Sequence, residues 1–152
     1  MNITFCGHRQ VGDQGAIAKW LDLILPPLIE GGAKTFYLGG YGEFDQLAAA
    51  AVRRQKDGYP QIESILVLPY LGRDVDASGY DGTTYPPLEG VPPRFAILKR
   101  NQWMVETSDV VISGVIHGWG GASKTLEYAR KKRKVIFQYP VQRAKQEGLL
   151  KE

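Results

Sequence analysis

The sequence predicts an α/β domain: a parallel β-sheet with helices on both faces. Short β-rich apolar runs alternate with longer stretches of helical periodicity along the chain, and each of three strand-to-helix junctions carries a glycine-rich loop. The 152 residues fit one domain on the prior of roughly 100 to 200 residues per domain. Strands separated by helices require crossover connections, and crossovers give parallel pairing.

Asn2 to Cys6 reads as the first strand. Gln14 to Glu30 follows as a helix, with Ile17, Leu21, Ile24, Leu25 and Leu28 near helical spacing and Gly31-Gly32 as its stop. Lys34 to Leu38 is the second strand. After Gly39-Gly40-Tyr41-Gly42, the alanine-rich run Glu43 to Lys56 is helical, and Ile62 to Leu68 is an apolar strand of the kind covered on both faces. Arg94 to Thr107 then reads as a helix, Asp109 to Ser113 as a strand, Ser123 to Lys132 as a helix and Lys134 to Gln138 as the last strand.

Between Gly72 and Pro93 lies a stretch without clear periodicity that holds glycines, aspartates and two Pro-Pro pairs. Loops this long inside a compact domain are mostly functional or disordered. Tyr70, Tyr80, Tyr85 and the rigid prolines favour an ordered flap, residues 72–93, over the ligand edge of the sheet; a structural or subunit-contact loop is the alternative. Residues 1–140 are read as the domain and 141–152 as a peripheral polar tail.

Composition excludes several classes. A chain with 43% hydrophobic and 23% charged residues is neither disordered nor collagen-like. Its one cysteine, Cys6, forms no disulfide within the chain and no cysteine-based zinc framework, so a reducing cytoplasmic compartment and no metal are expected. Neither a signal peptide nor an apolar run of about 18 residues is visible, so no membrane partner is expected. A net charge of +3 and a pI near 9.0 suit an anionic ligand but argue weakly for nucleic acid. The basic run Arg130 to Lys134 closes a helix, where cations complement the dipole; a nucleic-acid surface is the less favoured reading.

Three loops at strand ends carry the chemistry. In open α/β sheets ligands bind outside the carboxyl ends of the strands, where helix N-termini point unpaired N–H groups at anions. The first loop, from Gly7 to Gly12, includes His8 and Arg9, the latter a bidentate donor for phosphate or carboxylate. The second holds Gly39, Gly40, Tyr41 and Gly42, with Asp45 early in the next helix, either as a ribose-hydroxyl acceptor or as a carboxylate that merely complements the dipole. The third, Gly118-Trp119-Gly120-Gly121-Ala122-Ser123-Lys124-Thr125, departs from the P-loop pattern by one residue, Ser123. Glycines followed by Ser123 and a helix would supply an N-cap and an anion site together. Trp119 would stack on a base or cap the core.

Gly120-Gly121 followed by Glu127 also fits the motif Gly-Gly-x-Gly-Thr-x-x-Glu, with Ser123 and Lys124 in place of its third glycine and its threonine. Arg100 and Met104 stand where that pattern has Arg-Lys-x-x-Met one helix earlier, and Gly39-Gly40 matches its early glycine pair. By these residues the chain resembles the SLOG superfamily, the Rossmann-like group that includes the lonely guy phosphoribohydrolases. Gly-His-Arg at the first loop, Leu-Gly-Gly-Tyr-Gly-x-Phe-Asp at the second and Pro-Pro-Arg-Phe before Arg100 resemble a small bacterial and phage branch of it.

The resemblance implies a nucleotide-type ligand with its phosphate near the third loop and, in the enzymes, Arg100 and Glu127 as catalytic residues that cleave a base from ribose 5-phosphate. The first expectation is a protein that senses or sequesters a nucleotide-derived molecule, such as an ADP-ribose-like signal. The second is a phosphoribohydrolase, the third a nucleic-acid-binding module. No separate cofactor is expected, and homo-oligomers are common among such proteins. An ordinary ion pair between Arg100 and Glu127 is the bland alternative to catalysis.

Overall fold

A computed structural model describes residues 1–140; the expected tail, 141–152, lies outside them. The sheet contains β1 (Asn2–Cys6), β2 (Thr35–Leu38), β3 (Glu63–Val67), β4 (Gly82–Thr84), β5 (Val110–Ser113) and β6 (Val135–Gln138). Four helices connect them: α1 (Gln14–Glu30), α2 (Glu43–Gln55), α3 (Ala96–Thr107) and α4 (Gly121–Lys131). Strand order is β4-β3-β2-β1-β5-β6 and every pairing is parallel. The order reverses at β1, and that reversal opens the crevice used by ligands in this kind of sheet.

The alternation of side chains along a strand sorts the core into two layers. Ile3 and Phe5 of β1, with Val110 and Ile112 of β5, pack beneath α1 and α2, whose Leu21, Leu25, Phe44, Ala48 and Val52 are buried. Cys6 and Val111 point the other way, against Val105 of α3 and Leu126 and Ala129 of α4. Burial pushes the Cys6 thiol up to about 12, so it stays protonated and inert. Helix α1 runs through Pro26 and Pro27, a sequence that costs helical hydrogen bonds, because Ile17, Leu21, Leu25 and Ile29 bury one continuous stripe.

Two expectations need correction. Residues 72–93 are not one flap, since they contain β4, which extends the sheet beside β3. Three residues of Gly-Thr-Thr carry no readable periodicity; long-range partners build the strand instead. Asp81 accepts the Ser64 N–H at 2.8 Å, pairs with Lys56 at 2.9 Å and donates its own N–H to the Ser64 carbonyl at 2.9 Å. Helix α4 starts at Gly121 with Gly120 as N-cap, so Ser123 lies inside the first turn and caps nothing.

Candidate functional site

The first two loops close on each other. Phe44, fully buried at the start of α2, is clamped between Gly7 after β1 and Gly114 after β5. A Cβ on Gly7 would lie 2.1 Å from the Phe44 ring, and one on Gly114 would lie 2.3 Å from it. The glycines at this edge therefore make room for a core ring, a reason that a search for ligand-binding glycines does not anticipate.

The same closure occupies the N-terminus of α2. The Glu43 N–H donates to the Arg9 carbonyl at 2.8 Å and the Phe44 N–H to that of His8 at 3.4 Å, while the Glu43 carboxylate accepts from the Val11 N–H at 2.8 Å. Asp13 caps α1 by accepting from Ala16 at 2.9 Å. Helix α4 differs. Its cap, Gly120, sits at φ 91°, where glycine is favoured and no side chain is available. Among the described residues no acceptor meets the N–H groups of Gly121, Ala122 and Ser123.

Of these residues, Gly121 and Ala122 line a cleft of about 580 Å³ at the carboxyl ends of β1 and β5. His8, Arg9, Tyr41 and Asp45 form one wall, Ile97, Arg100, Asn101 and Met104 of α3 the second, and His117, Trp119 and the start of α4 the third. Three rings are stacked along it: His8 on His117 at 3.6 Å between centroids, and His117 on Trp119 at 3.6 Å. The outer ring, Trp119, is 70% exposed.

His8 is buried, and its Nε2 accepts the Ile116 N–H at 2.9 Å and the His117 N–H at 3.4 Å. An accepting Nε2 requires a neutral ring with its proton on Nδ1. Burial, then the neighbouring His117, lowers the pKa of His8, in agreement with that state. Among the described residues the buried Nδ1 of His117 has no hydrogen-bond partner. Arg9 hydrogen-bonds the Tyr41 hydroxyl, with its guanidinium 5.0 Å from the ring centre.

Arg100 is 3% exposed. Its Nη1 donates to the carbonyls of Val67 at 2.7 Å and Gly39 at 3.2 Å, and its Nε to the Asn101 side chain at 2.9 Å. Asp45 approaches from the other side of Gly39, where its carboxylate accepts the Tyr41 N–H at 3.3 Å. Burial raises the Asp45 pKa from 3.8 to about 6, outweighing the Tyr41 hydrogen bond and the Arg100 charge, which lower it. Burial also lowers the pKa of Arg100.

Glu127 is not part of this arrangement. It is exposed and pairs with Arg130 at 3.0 Å, one turn along its own helix. The reason is helical geometry: Thr125, which faces the cleft, and Glu127 are two positions apart, about 200° around a helix of 3.6 residues per turn. The expected pairing of Arg100 with Glu127 is therefore absent, and Asp45 is the carboxylate near Arg100. Lys124 is exposed, and neither it nor Ser123 lines the cleft.

Gly7, His8, Arg9, Tyr41, Asp45, Trp119, Gly120, Gly121, Ala122 and Thr125 do line it, with Arg100. Gly39 and Gly40 line an adjoining cavity, and Gly42 caps α2, where a Cβ would lie 2.9 Å from the Arg9 backbone. Sequence reasoning passed over Asn101, which orients Arg100, as a site residue, and likewise the middle ring, His117. The spacing of two rings in His117-x-Trp119 after a strand was the available signal.

No protein-family model matches the chain, and no curated protein matches it. Solved structures share its fold. The DNA processing protein A of Helicobacter pylori, described with a single-stranded DNA binding mode, superposes with a TM-score of 0.65 at 18% identity over 94% of this chain and 66% of its own. The corresponding protein of Streptococcus pneumoniae gives 0.65 at 19% over 93% of this chain and 51% of its own. The molybdenum cofactor binding protein of Rippkaea orientalis gives 0.60 at 20%, over 90% of this chain and 74% of its own. The chain thus spans less than two thirds of both DNA processing proteins. At these identities the likeness establishes the α/β Rossmann-like fold alone.

Proposed function

We propose that the cleft binds a nucleotide-type small molecule, with a phosphate on the N-terminus of α4 and a base on Trp119. The observation that carries this reading is the meeting, in one cleft, of the unpaired N–H groups of Gly121 and Ala122 and an exposed ring at the end of an aromatic stack. A helix N-terminus stabilises an anion by hydrogen bonds and dipole together. Stacking on an aromatic ring contributes about 1 to 3 kcal/mol per base. Arg9, across the cleft, adds a cation.

Binding without turnover is the simpler function of this geometry. The hydrolytic alternative has support in Asp45: a carboxyl that titrates at about 6 near a buried guanidinium suits proton transfer close to neutral pH. In a phosphoribohydrolase built on this cleft, Asp45 takes the role first assigned to Glu127. The Helicobacter pylori neighbour, described with a single-stranded DNA binding mode, favours another occupant, a nucleotide within a single strand, for which the same platform would serve. That likeness weakens the expectation that nucleic acid is not a partner.

One experiment separates the three. The protein is incubated with nucleoside mono- and diphosphates, ADP-ribose and short single-stranded DNA, and bound and free species are identified by mass spectrometry. Unchanged small nucleotide recovered from the protein supports binding. Free base that disappears in Asp45→Asn but persists in Glu127→Gln supports hydrolysis. Retention of DNA alone overturns the small-molecule reading.

A further inference from the structure

The loop that carries Trp119 hangs on one side chain. Among the described residues the backbone of residues 116–119 makes two hydrogen bonds, from the Ile116 N–H at 2.9 Å and the His117 N–H at 3.4 Å, and both end on His8 Nε2. On either side of that span the chain is held without His8. The Gly114 N–H donates to the Cys6 carbonyl at 2.8 Å and the Val115 N–H to the Ser113 hydroxyl at 3.1 Å, while the Gly120 carbonyl accepts from Lys124 at 3.1 Å. Between these anchors the loop has room to move: Ile116 is exposed, and a Cβ on Gly118 would meet nothing within 4 Å.

The two donors demand one protonation state. Neutral His8 offers a lone pair on Nε2, whereas the imidazolium carries a proton on both nitrogens and would turn a third N–H towards the two it now accepts. The stack acts in the same sense, because His117 lies 3.6 Å from His8 between ring centroids and a charge on one ring opposes a charge on the other. The titratable or charged groups that line the cleft with His8 are Cys6 and Arg9 on its own segment, Tyr41 and Asp45 around the start of α2, Arg100 on α3, and His117. Helix α4 brings Gly121, Ala122 and Thr125 to the cleft and no charged side chain. Glu43, also on α2, is turned to the Val11 N–H. Asp45 is the one carboxyl in that lining, and it takes up its own proton as pH falls through about 6, so it does not hold a charged His8 in place.

We infer that His8 is the positioning residue of the Trp119 platform and its acid-sensitive latch: neutral His8 holds residues 116–119 so that Trp119 and the start of α4 face one ligand, and protonation of His8 frees the loop and releases that ligand. This inference rests on the nucleotide reading of the cleft and adds the regulation of the same site. Burial, then His117, already lowers the pKa of His8, so the latch is closed near neutral pH and opens in mild acid. Linkage makes the effect reciprocal: a ligand that needs the held loop lowers the pKa of His8 by the factor by which acid weakens its binding.

The chain has two histidines, so nitrogen NMR of the isotopically labelled full chain follows both rings. Between about pH 8 and about pH 5, His8 should start as the Nδ1–H tautomer and become charged. The amides of Ile116 and His117 and the indole N–H of Trp119 should shift with the same midpoint, while the amides of β2 stay in place. A proton found on His8 Nε2 at neutral pH, a ring that stays neutral to about pH 5, titration that leaves those three signals unmoved, or β2 amides that move with them each overturn the latch.

Binding is read with AMP by calorimetry at about pH 7.5 and about pH 5, for the unaltered protein and for His8→Gln, whose side-chain oxygen can accept the same two N–H groups but takes up no proton. The phosphate of AMP and Asp45 titrate in this range in both proteins, so the difference between them isolates His8. On acidification the unaltered protein should lose about tenfold more affinity than His8→Gln, and AMP should lower the His8 midpoint by about one unit. An equal loss in the two proteins, or a His8 midpoint that AMP leaves unmoved, overturns the release; the second measurement needs no variant. Failure of AMP to bind at about pH 7.5 counts against the nucleotide reading and not against the latch, which the signals of Ile116, His117 and Trp119 decide alone.

Discussion

Asp45 and Arg100 face each other across Gly39. A Cβ placed on that glycine would lie 3.0 Å from the Asp45 carboxylate and 3.3 Å from the Arg100 guanidinium. The missing side chain leaves the space in which the two charges approach without forming an ion pair among the described residues, and burial raises the Asp45 pKa to about 6 against the lowering effects of the Tyr41 hydrogen bond and the Arg100 charge. Each charge is left in part for a ligand to complete.

The stability of the protein should record this. Folding raises the Asp45 pKa from 3.8 to about 6, so between those values the folded state binds more protons than the unfolded one. Stability from this group is then greatest below the unfolded pKa and falls as pH rises through the folded one. At about 1.4 kcal/mol per unit, with an allowance for its partial exposure, the loss is ~2 kcal/mol. Asp45→Asn should therefore gain stability relative to the unaltered protein as pH rises from about 4 to 7. Urea denaturation at a series of pH values measures the gap, and a constant gap would contradict the burial of this carboxyl.

Replacement of Gly7 or Gly114 by alanine should destabilise the fold strongly. The added Cβ meets the Phe44 ring well inside contact distance, and overpacking of a core commonly costs about 1 to 3 kcal/mol, occasionally more. Shrinking the ring should relieve it: Gly7→Ala with Phe44→Leu should cost less than the sum of the two single changes. Denaturant midpoints of the double-mutant cycle test this, and additive costs would argue against the clamp.

Trp119→Ala should separate binding from folding. The ring is 70% exposed, so stability should change by about 0.5 kcal/mol or less. Affinity for a bound nucleotide should fall by about 1 to 3 kcal/mol. Calorimetry and thermal melts of the same samples provide both values. A large loss of melting temperature would show that Trp119 caps the stack for the fold alone.

Glu127→Gln should be nearly silent. Its ion pair among the described residues is exposed and local to α4, and such pairs contribute about 0.3 to 0.5 kcal/mol. Neither nucleotide binding nor any base release should change. The same holds for the basic run: Lys134 donates to the Glu106 carbonyl at the end of α3 at 3.4 Å, and Lys132 lies over the Tyr128 ring. These contacts explain part of that charge without a partner.

The strands and helices were legible because each carries its own period. Asn2–Cys6 and Gln14–Glu30 coincide with their observed bounds, and the other regular elements shift by one or two residues at their ends. Strand β4 escaped because three residues are too short for a period and its pairing depends on Asp81 meeting Ser64, seventeen positions away. The cleft was legible as three glycine loops at strand ends. What each loop does was not. Two of them spend their glycines and N–H groups on Phe44, Arg9 and His8, which only the packed sheet brings together.

The sequence alone determined a parallel α/β sheet, its helices and the edge where a ligand would lie, since those follow from local periodicity and from the crossovers that parallel strands require. Tertiary structure decided which groups at that edge are free. It capped α1 through Asp13 and tied the first two N–H groups of α2 to Arg9 and His8, left those of Gly121 and Ala122 without an acceptor among the described residues, turned Glu127 to solvent, and set Asp45 rather than Glu127 near Arg100. The physical reason is that hydrogen-bond satisfaction and burial depend on neighbours distant in the chain, and no local pattern in the residues records which of them will meet.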